Sequence, residues 1–301
     1  MQISAAFKAK ILTAIAENRN NFQGSDAAYA KTFTISPAIY SRMQKGEIEQ
    51  VLSESKWLHI ARMLDVKLNE EKWNTAKTDV FAKVQRDLKS CKENSSALIL
   101  VDECGIGKTY CARHIVRSMK NSFYVDCSQT KTKQQFIRHL AKTIGCDNKG
   151  KYQDVKADLK YAILFMEQPL IVLDEAGDLD YPAFLELKEL WNATEGACGW
   201  YMMGADGLRA KIERGINHRK VGYREIFDRF NNKYMKAVPM GAENKEAFYA
   251  KLIGDVLLAN LPAAEQRKLN VYVKKVLATD GGEHGTLRRA KTVVNLLKKA
   301  A

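Results

Sequence analysis

One short segment constrains this chain more than any other. Ala97-Leu98-Ile99-Leu100-Val101 is a continuous apolar run, as expected for a strand covered on both faces. Asp102-Glu103-Cys104-Gly105-Ile106-Gly107-Lys108-Thr109 follows at once, and Tyr110–Met119 reads as a helix. Strand, glycine loop, Gly-Lys-Thr and helix, in that order, form the context that a Walker A phosphate loop requires. Gly105 and Gly107 let the backbone turn so that its N–H groups point inward at phosphate oxygens. The following helix adds the positive end of its dipole. Lys108 is placed to reach the β- and γ-phosphates of a nucleotide, and the Thr109 hydroxyl to ligate Mg²⁺. The residues expected around ATP are therefore Glu103, Cys104, Gly105, Ile106, Gly107, Lys108, Thr109 and Tyr110.

The loop departs from the usual pattern at its first position, six residues before the lysine, where Asp102 stands in place of glycine. Asp tolerates unusual backbone angles better than most residues, so the loop can still close. A carboxylate beside phosphates is unfavourable unless it points away, and Glu103 adds a second. Weaker nucleotide affinity than a full-pattern loop would give is the expectation. Further on, Leu170-Ile171-Val172-Leu173 runs into Asp174-Glu175. An apolar strand that ends in paired carboxylates reads as a Walker B motif. Asp174 would hold the Mg²⁺ shell, and Glu175 would orient and deprotonate the attacking water.

Strand-like runs at 97–101, 123–126, 170–173, 200–203 and 234–238 alternate with helical segments. This pattern predicts an α/β fold with a doubly wound parallel sheet over residues 96–240. Residues 241–301 carry helical periodicity and no strand signal, so a small C-terminal helical lid is expected. Residues 67–95 read as a polar, partly helical connector with a break near 90–96. Residues 1–66 read as short helices only. Phe7, Ile11, Leu12 and Ile15 recur at helical spacing, and Gly24-Ser25-Asp26 opens a second helix over 27–32. Ser36 and Pro37 are suited to cap a third over 38–45, and a fourth is expected from 48 to 64. Two short helices joined by a few turn residues resemble the helix-turn-helix of small lambda-repressor-like domains. That resemblance implies that Tyr40, Ser41, Arg42, Gln44 and Lys45 face a DNA groove. A helical docking module that touches no DNA has the same layout.

Charge narrows the class of partner. The 301 residues carry 48 Lys and Arg against 35 Asp and Glu, a net charge of +13. The excess is spread along the chain, at +4 over 1–90, +4 over 91–240 and +5 over 241–301. A distributed basic excess favours a polyanion such as nucleic acid. No apolar run is long enough to span a bilayer, no secretory leader is evident, and the six cysteines form no C-x-x-C pair. A cytoplasmic protein with reduced thiols, and with no membrane partner, is the expectation.

The Walker pair, the fourth strand, Phe227-Asp228-Arg229-Phe230 and Gly285-Thr286-Leu287-Arg288-Arg289-Ala290 together resemble the AAA+ ATPases. In that family the fourth strand ends in a polar sensor; here Asp206 is the candidate, in place of the usual Asn or Thr. The family also supplies an arginine in trans to the neighbouring subunit's γ-phosphate. The resemblance puts Arg229 in that place, with Arg224 as fallback, and Arg288 in the lid's Gly-x-x-Arg sensor. An N-terminal helical domain on a minimal core and lid is similar to the MuB-like transposition ATPases, with the IstB-type and TnsC-type helpers as relatives in character. The resemblance implies subunits that assemble, ATP-bound, head-to-tail into a helical filament on double-stranded DNA. Such a filament captures target DNA and activates a DDE-type transposase, which stimulates hydrolysis in return.

Such a filament needs sequence-independent contacts to the DNA backbone from each subunit. The loop Ser128–Lys133 offers Thr130, Lys131 and Lys133, in a region where the relatives contact DNA. The stretch from Arg209 to Arg224 offers Arg209 and Lys211 among six cations, although a solvated basic helix face has the same composition. Two other functions share these motifs: a helicase loader or replication-initiation ATPase, and an ATP-switched, sequence-specific DNA-binding regulator.

Overall fold

The computed structural model describes residues 3–22, 24–64, 66–68, 73–278 and 285–300. Its centre is a five-stranded parallel sheet. The strands are β1 (Ala97–Val101), β2 (Ser122–Asp126), β3 (Leu170–Asp174), β4 (Gly199–Gly204) and β5 (Tyr234–Met235), in the order β2-β3-β4-β1-β5. β1, β3 and β4 are almost wholly buried, which accounts for their unbroken apolar sequences. Successive residues alternate between two cores. Ile99, Val101, Ile171, Leu173, Trp200 and Met202 face one side, while Leu100, Val172, Tyr201 and Met203 face the other.

The first side is covered by α7 (Lys133–Ile144), α8 (Tyr152–Phe165), α9 (Tyr181–Ala193), α10 (Asp206–Asn217) and α11 (Tyr223–Arg229). The second is covered by α5 (Asp79–Glu93), α6 (Lys108–Ser118) and the middle of α12 (Ala242–Asn260), through Phe248, Tyr249 and Leu252. The stretch expected to be a connector is thus partly core. Val80, Phe81, Val84, Leu88 and Cys91 form a buried stripe of α5 against the sheet; the helix ends at Glu93, and a short turn with Ser95 left-handed leads into β1, where Ser96 N–H bonds Cys91 O. Inside this packing, Asp87 accepts from Lys83 and from the Tyr201 hydroxyl.

β5 is shorter than the 234–238 expected. Its ladder with β1 covers only Tyr234 and Met235, because the next inward N–H groups are captured by a side chain, described below. The lid is α12, α13 (Leu269–Leu277) and α14 (Leu287–Ala300), closed on its own small core of Ile253, Leu257, Val276, Ala290 and Val294.

The N-terminal unit is all-helical: α1 (Ala5–Arg19), α2 (Asp26–Thr32), α3 (Pro37–Gln44) and α4 (Glu54–Met63). Ser25 and Ser36 cap α2 and α3 by accepting the Ala28 and Ile39 amides. The fourth helix starts at Glu54 rather than 48, since 46–53 are turns and Ser53 stands at its N-terminus. Tyr40 is buried, 2% exposed, among Tyr29 and its neighbours, so it cannot face a groove. Ser41, Arg42, Gln44 and Lys45 are exposed, with Arg42 paired to Glu47 and Gln44 bonded to Asp26. Asn21 bonds the carbonyls of Val116 and Arg117 and ties this unit to the end of α6. No helix among the described residues is long and apolar enough to cross a membrane.

Candidate nucleotide site

The C-terminal ends of β1 and β3 lie at one edge of the sheet, separated by β4, where open parallel sheets hold ligands. The loop after β1 and the start of α6 line a cleft of about 1160 Å³, and Glu175, Leu287 and Arg288 face the same space. Gly105 (φ 75°) and Gly107 (φ 96°) are left-handed, and Gly107 caps α6. These angles turn successive loop amides inward, as an anion cradle needs. The space is also restricted: a β-carbon on Gly105 would stand 2.6 Å from Thr286 Cβ.

Lys108 is 8% exposed. Its ammonium donates to the carbonyls of Asp102 and Glu103, each at 2.7 Å. Burial lowers its pKa, opposed by the charges of Asp102, Cys104, Glu175 and Asp174. Those charges act on one ammonium because Walker A and Walker B converge. Glu175 adopts a left-handed backbone (φ 49°) directly after β3. Its carboxyl is held above the usual carboxylate range, chiefly by burial and next by the Asp174 charge. A poised base needs that arrangement. Asp174 is 2% exposed; one oxygen accepts the Glu175 amide at 2.9 Å and the other the Tyr124 hydroxyl. A half-buried threonine hydroxyl on α6 and a buried carboxylate are hard oxygen donors that suit Mg²⁺.

The first two loop residues behave unlike the rest. Asp102 and Glu103 do not line the cleft, whereas Cys104 to Cys111 all do. Asp102 has no left-handed backbone, so the loop does not rely on an unusual angle there. Its carboxylate turns to the segment after β5, and that of Glu103 accepts from Lys245 and from Tyr249 (2.7 Å) of α12. The expectation that Glu103 touches nucleotide gives way to a contact with the lid.

The other expected residues divide clearly. Arg288 reaches the cleft from α14. Tyr110, partly exposed, lines it too; its hydroxyl lies 2.6 Å from that of Thr75 and its ring stacks on His114. Cys104 is exposed in the loop. Asp206 is exposed at the start of α10 and is not part of the cleft wall. Arg229 does not line this chain's own cleft; its guanidinium lies 5.2 Å over the Trp191 ring, and its Nη1 is buried without a hydrogen-bond partner among the described residues.

Two expected DNA-contacting residues are turned inward. Thr130 is 4% exposed, and its hydroxyl bonds Asp126 O at 3.4 Å. Lys211 donates to the carbonyls of Gly177 and Leu179 and clamps α10 to the turn after Walker B. Lys131 and Lys133 are exposed, the first in a loose 3.7 Å pair with Asp178. Arg209 is exposed, paired with Glu213 and stacked over Tyr234.

Sequence reasoning missed several residues here. Arg113, Arg117, Lys291, Trp73, Lys10 from the N-terminal unit and Lys67 just after it also line the cleft. Arg113 and Arg117 follow Thr109 at steps of four on α6, a face that helical spacing could have revealed. Arg113 sits 4.9 Å over the Tyr124 ring and 3.4 Å from Asp126.

Residues 93–212 match the AAA domain family. The match runs from the end of α5 into α10 and includes both Walker motifs. No curated protein matches the chain. The family match and the site together support a P-loop AAA-type ATPase core.

Proposed function

We propose that this AAA-type ATPase binds and hydrolyses ATP with Mg²⁺, assembles head-to-tail on duplex DNA without sequence preference, and delivers target DNA to a DDE-type transposase. The observation that carries the nucleotide part is the meeting of Lys108, Glu175 and Arg288 in one cleft. Lys108 and Arg288 would bring cations to the phosphates, Thr109 and Asp174 would hold the metal, and Glu175 would take the proton of the attacking water. The metal's contribution is charge neutralisation on the transferring phosphoryl group.

The assembly and DNA parts rest on separate support. Arg229 ends α11 and does not line this chain's own cleft; it is assigned to a γ-phosphate held by another copy, which requires its guanidinium to swing off the Trp191 ring. A contact of that kind makes ATP a joint between subunits, and head-to-tail joints that do not close generate a helix. The distributed +13 charge and the exposed Lys131 and Lys133 suit phosphodiester contacts that carry no sequence information. The exposed face of α3 provides a further route to DNA, or to the transposase.

Electron microscopy of the protein on linear duplex DNA tests the reading, with and without a slowly hydrolysed ATP analogue. Uniform coating that needs the analogue, and is lost in the Lys131→Glu/Lys133→Glu double variant, is the expected result. Equal coating without nucleotide would overturn it. A discrete footprint would favour the sequence-specific regulator, and co-purification with a helicase the loader.

A further inference from the structure

The loop's departure from the usual glycine has a specific structural consequence. Asp102 is 3% exposed, and three backbone amides converge on its carboxylate. Glu103 N–H donates to Oδ1 at 2.8 Å, while Ala237 and Val238 both donate to Oδ2, the latter at 3.0 Å. The register that pairs Ile99 with Tyr234 and Leu100 with Met235 would bring Ala237 opposite Asp102. The side chain therefore takes the place of the strand ladder just where the chain leaves the sheet for the lid. A carboxylate that accepts several N–H groups is a strong anchor, because each bond is charge-assisted and shielded from water. Glycine has no side chain and could make none of these bonds.

Glu103 continues the same clasp, joining Lys245 and Tyr249 of α12. The main-chain carbonyls of Asp102 and Glu103 also hold the Lys108 ammonium. One dipeptide thus binds the lid through its side chains and the phosphate-reaching lysine through its backbone.

We propose that Asp102 is a positioning residue of the nucleotide site. It pins the phosphate loop to the joint between β5 and the lid, and so fixes the carbonyls that set Lys108 in place; Glu103 extends the clasp to α12. This inference rests on the nucleotide reading of the loop. It implies that the aspartate supports binding, and that restoring the usual glycine weakens it.

Two measurements on the full-length chain test the proposal: amide hydrogen exchange at 237–238, and binding of a fluorescent ATP analogue. In Asp102→Gly, exchange protection at 237–238 should be lost, and affinity should fall at least tenfold. Asp102→Asn should keep part of both, since its carbonyl oxygen can still accept from Ala237 and Val238. Lys245→Ala should weaken binding less, with the 237–238 protection intact. Leu88→Ala, far from the loop, controls for general destabilisation and should leave affinity near the parental value. Unchanged protection in Asp102→Gly, or analogue binding as tight as in the parent, would overturn the proposal. A parent that binds no analogue, beside a variant that loses protection, would count against the nucleotide reading while leaving the clasp itself standing.

Discussion

The Leu287 amide donates to the Gly105 carbonyl at 3.0 Å, so the first turn of the lid's last helix rests directly on the phosphate loop. The contact explains how Arg288, the next residue, comes to face the cleft. It also leaves no room at Gly105, where φ is 75° and Thr286 would meet an added β-carbon. Gly105→Ala would add a left-handed penalty of about 1–2 kcal/mol to that clash. ATP affinity, read by titration calorimetry, should fall by more than about tenfold. An unaltered isotherm would mean that the lid and loop part freely.

Glu175 is the expected base. Glu175→Gln should retain ATP binding and lose hydrolysis by about 10²- to 10⁴-fold, the usual worth of general base catalysis. Phosphate release under single-turnover conditions gives the number, and turnover at the parental rate would reassign the base. Burial and the Asp174 charge raise the pKa of Glu175. Hydrolysis should therefore rise with pH through a midpoint above the ordinary carboxylate range, because only the ionised form accepts a proton. Its effect on stability has the opposite sign. A raised carboxyl pKa favours the folded state below the unfolded value, and that contribution is lost as pH rises through the folded one.

Tyr124 holds one oxygen of Asp174 across β2 and β3 while Arg113 covers its ring. Partners that orient a metal ligand commonly matter about 10- to 100-fold in metal affinity. Tyr124→Phe should raise the Mg²⁺ concentration needed for half-maximal ATP-analogue binding by at least about tenfold, with metal-free binding nearly unchanged. An equal loss with and without Mg²⁺ would assign Tyr124 to packing alone.

Leu88 is fully buried between α5 and the sheet. Leu88→Ala should cost about 2–5 kcal/mol in urea unfolding, through lost transfer energy and the cavity left behind. A near-neutral result would fit a loose connector, and not the packed helix described above.

The motifs were legible in the sequence because their chemistry is local. A glycine loop between strand and helix, a Lys-Thr pair and two carboxylates after an apolar run need only short-range spacing to be read. The strand runs of the buried sheet were legible for the same reason, and so were the serine caps of α2 and α3. Residues whose role depends on distant partners were not. Asp102 looked like a liability within its own loop; its partner amides lie 135 and 136 residues downstream. Lys211 and Thr130 looked like cations and hydroxyls ready for DNA until the turns packed over them were known. The amphipathic face of α5 announced burial without saying against what. Side-chain type and spacing set what chemistry the chain can perform. Strand order and the packing of lid on loop decided which groups face the cleft, because a polar group's exposure is a property of its neighbours in space.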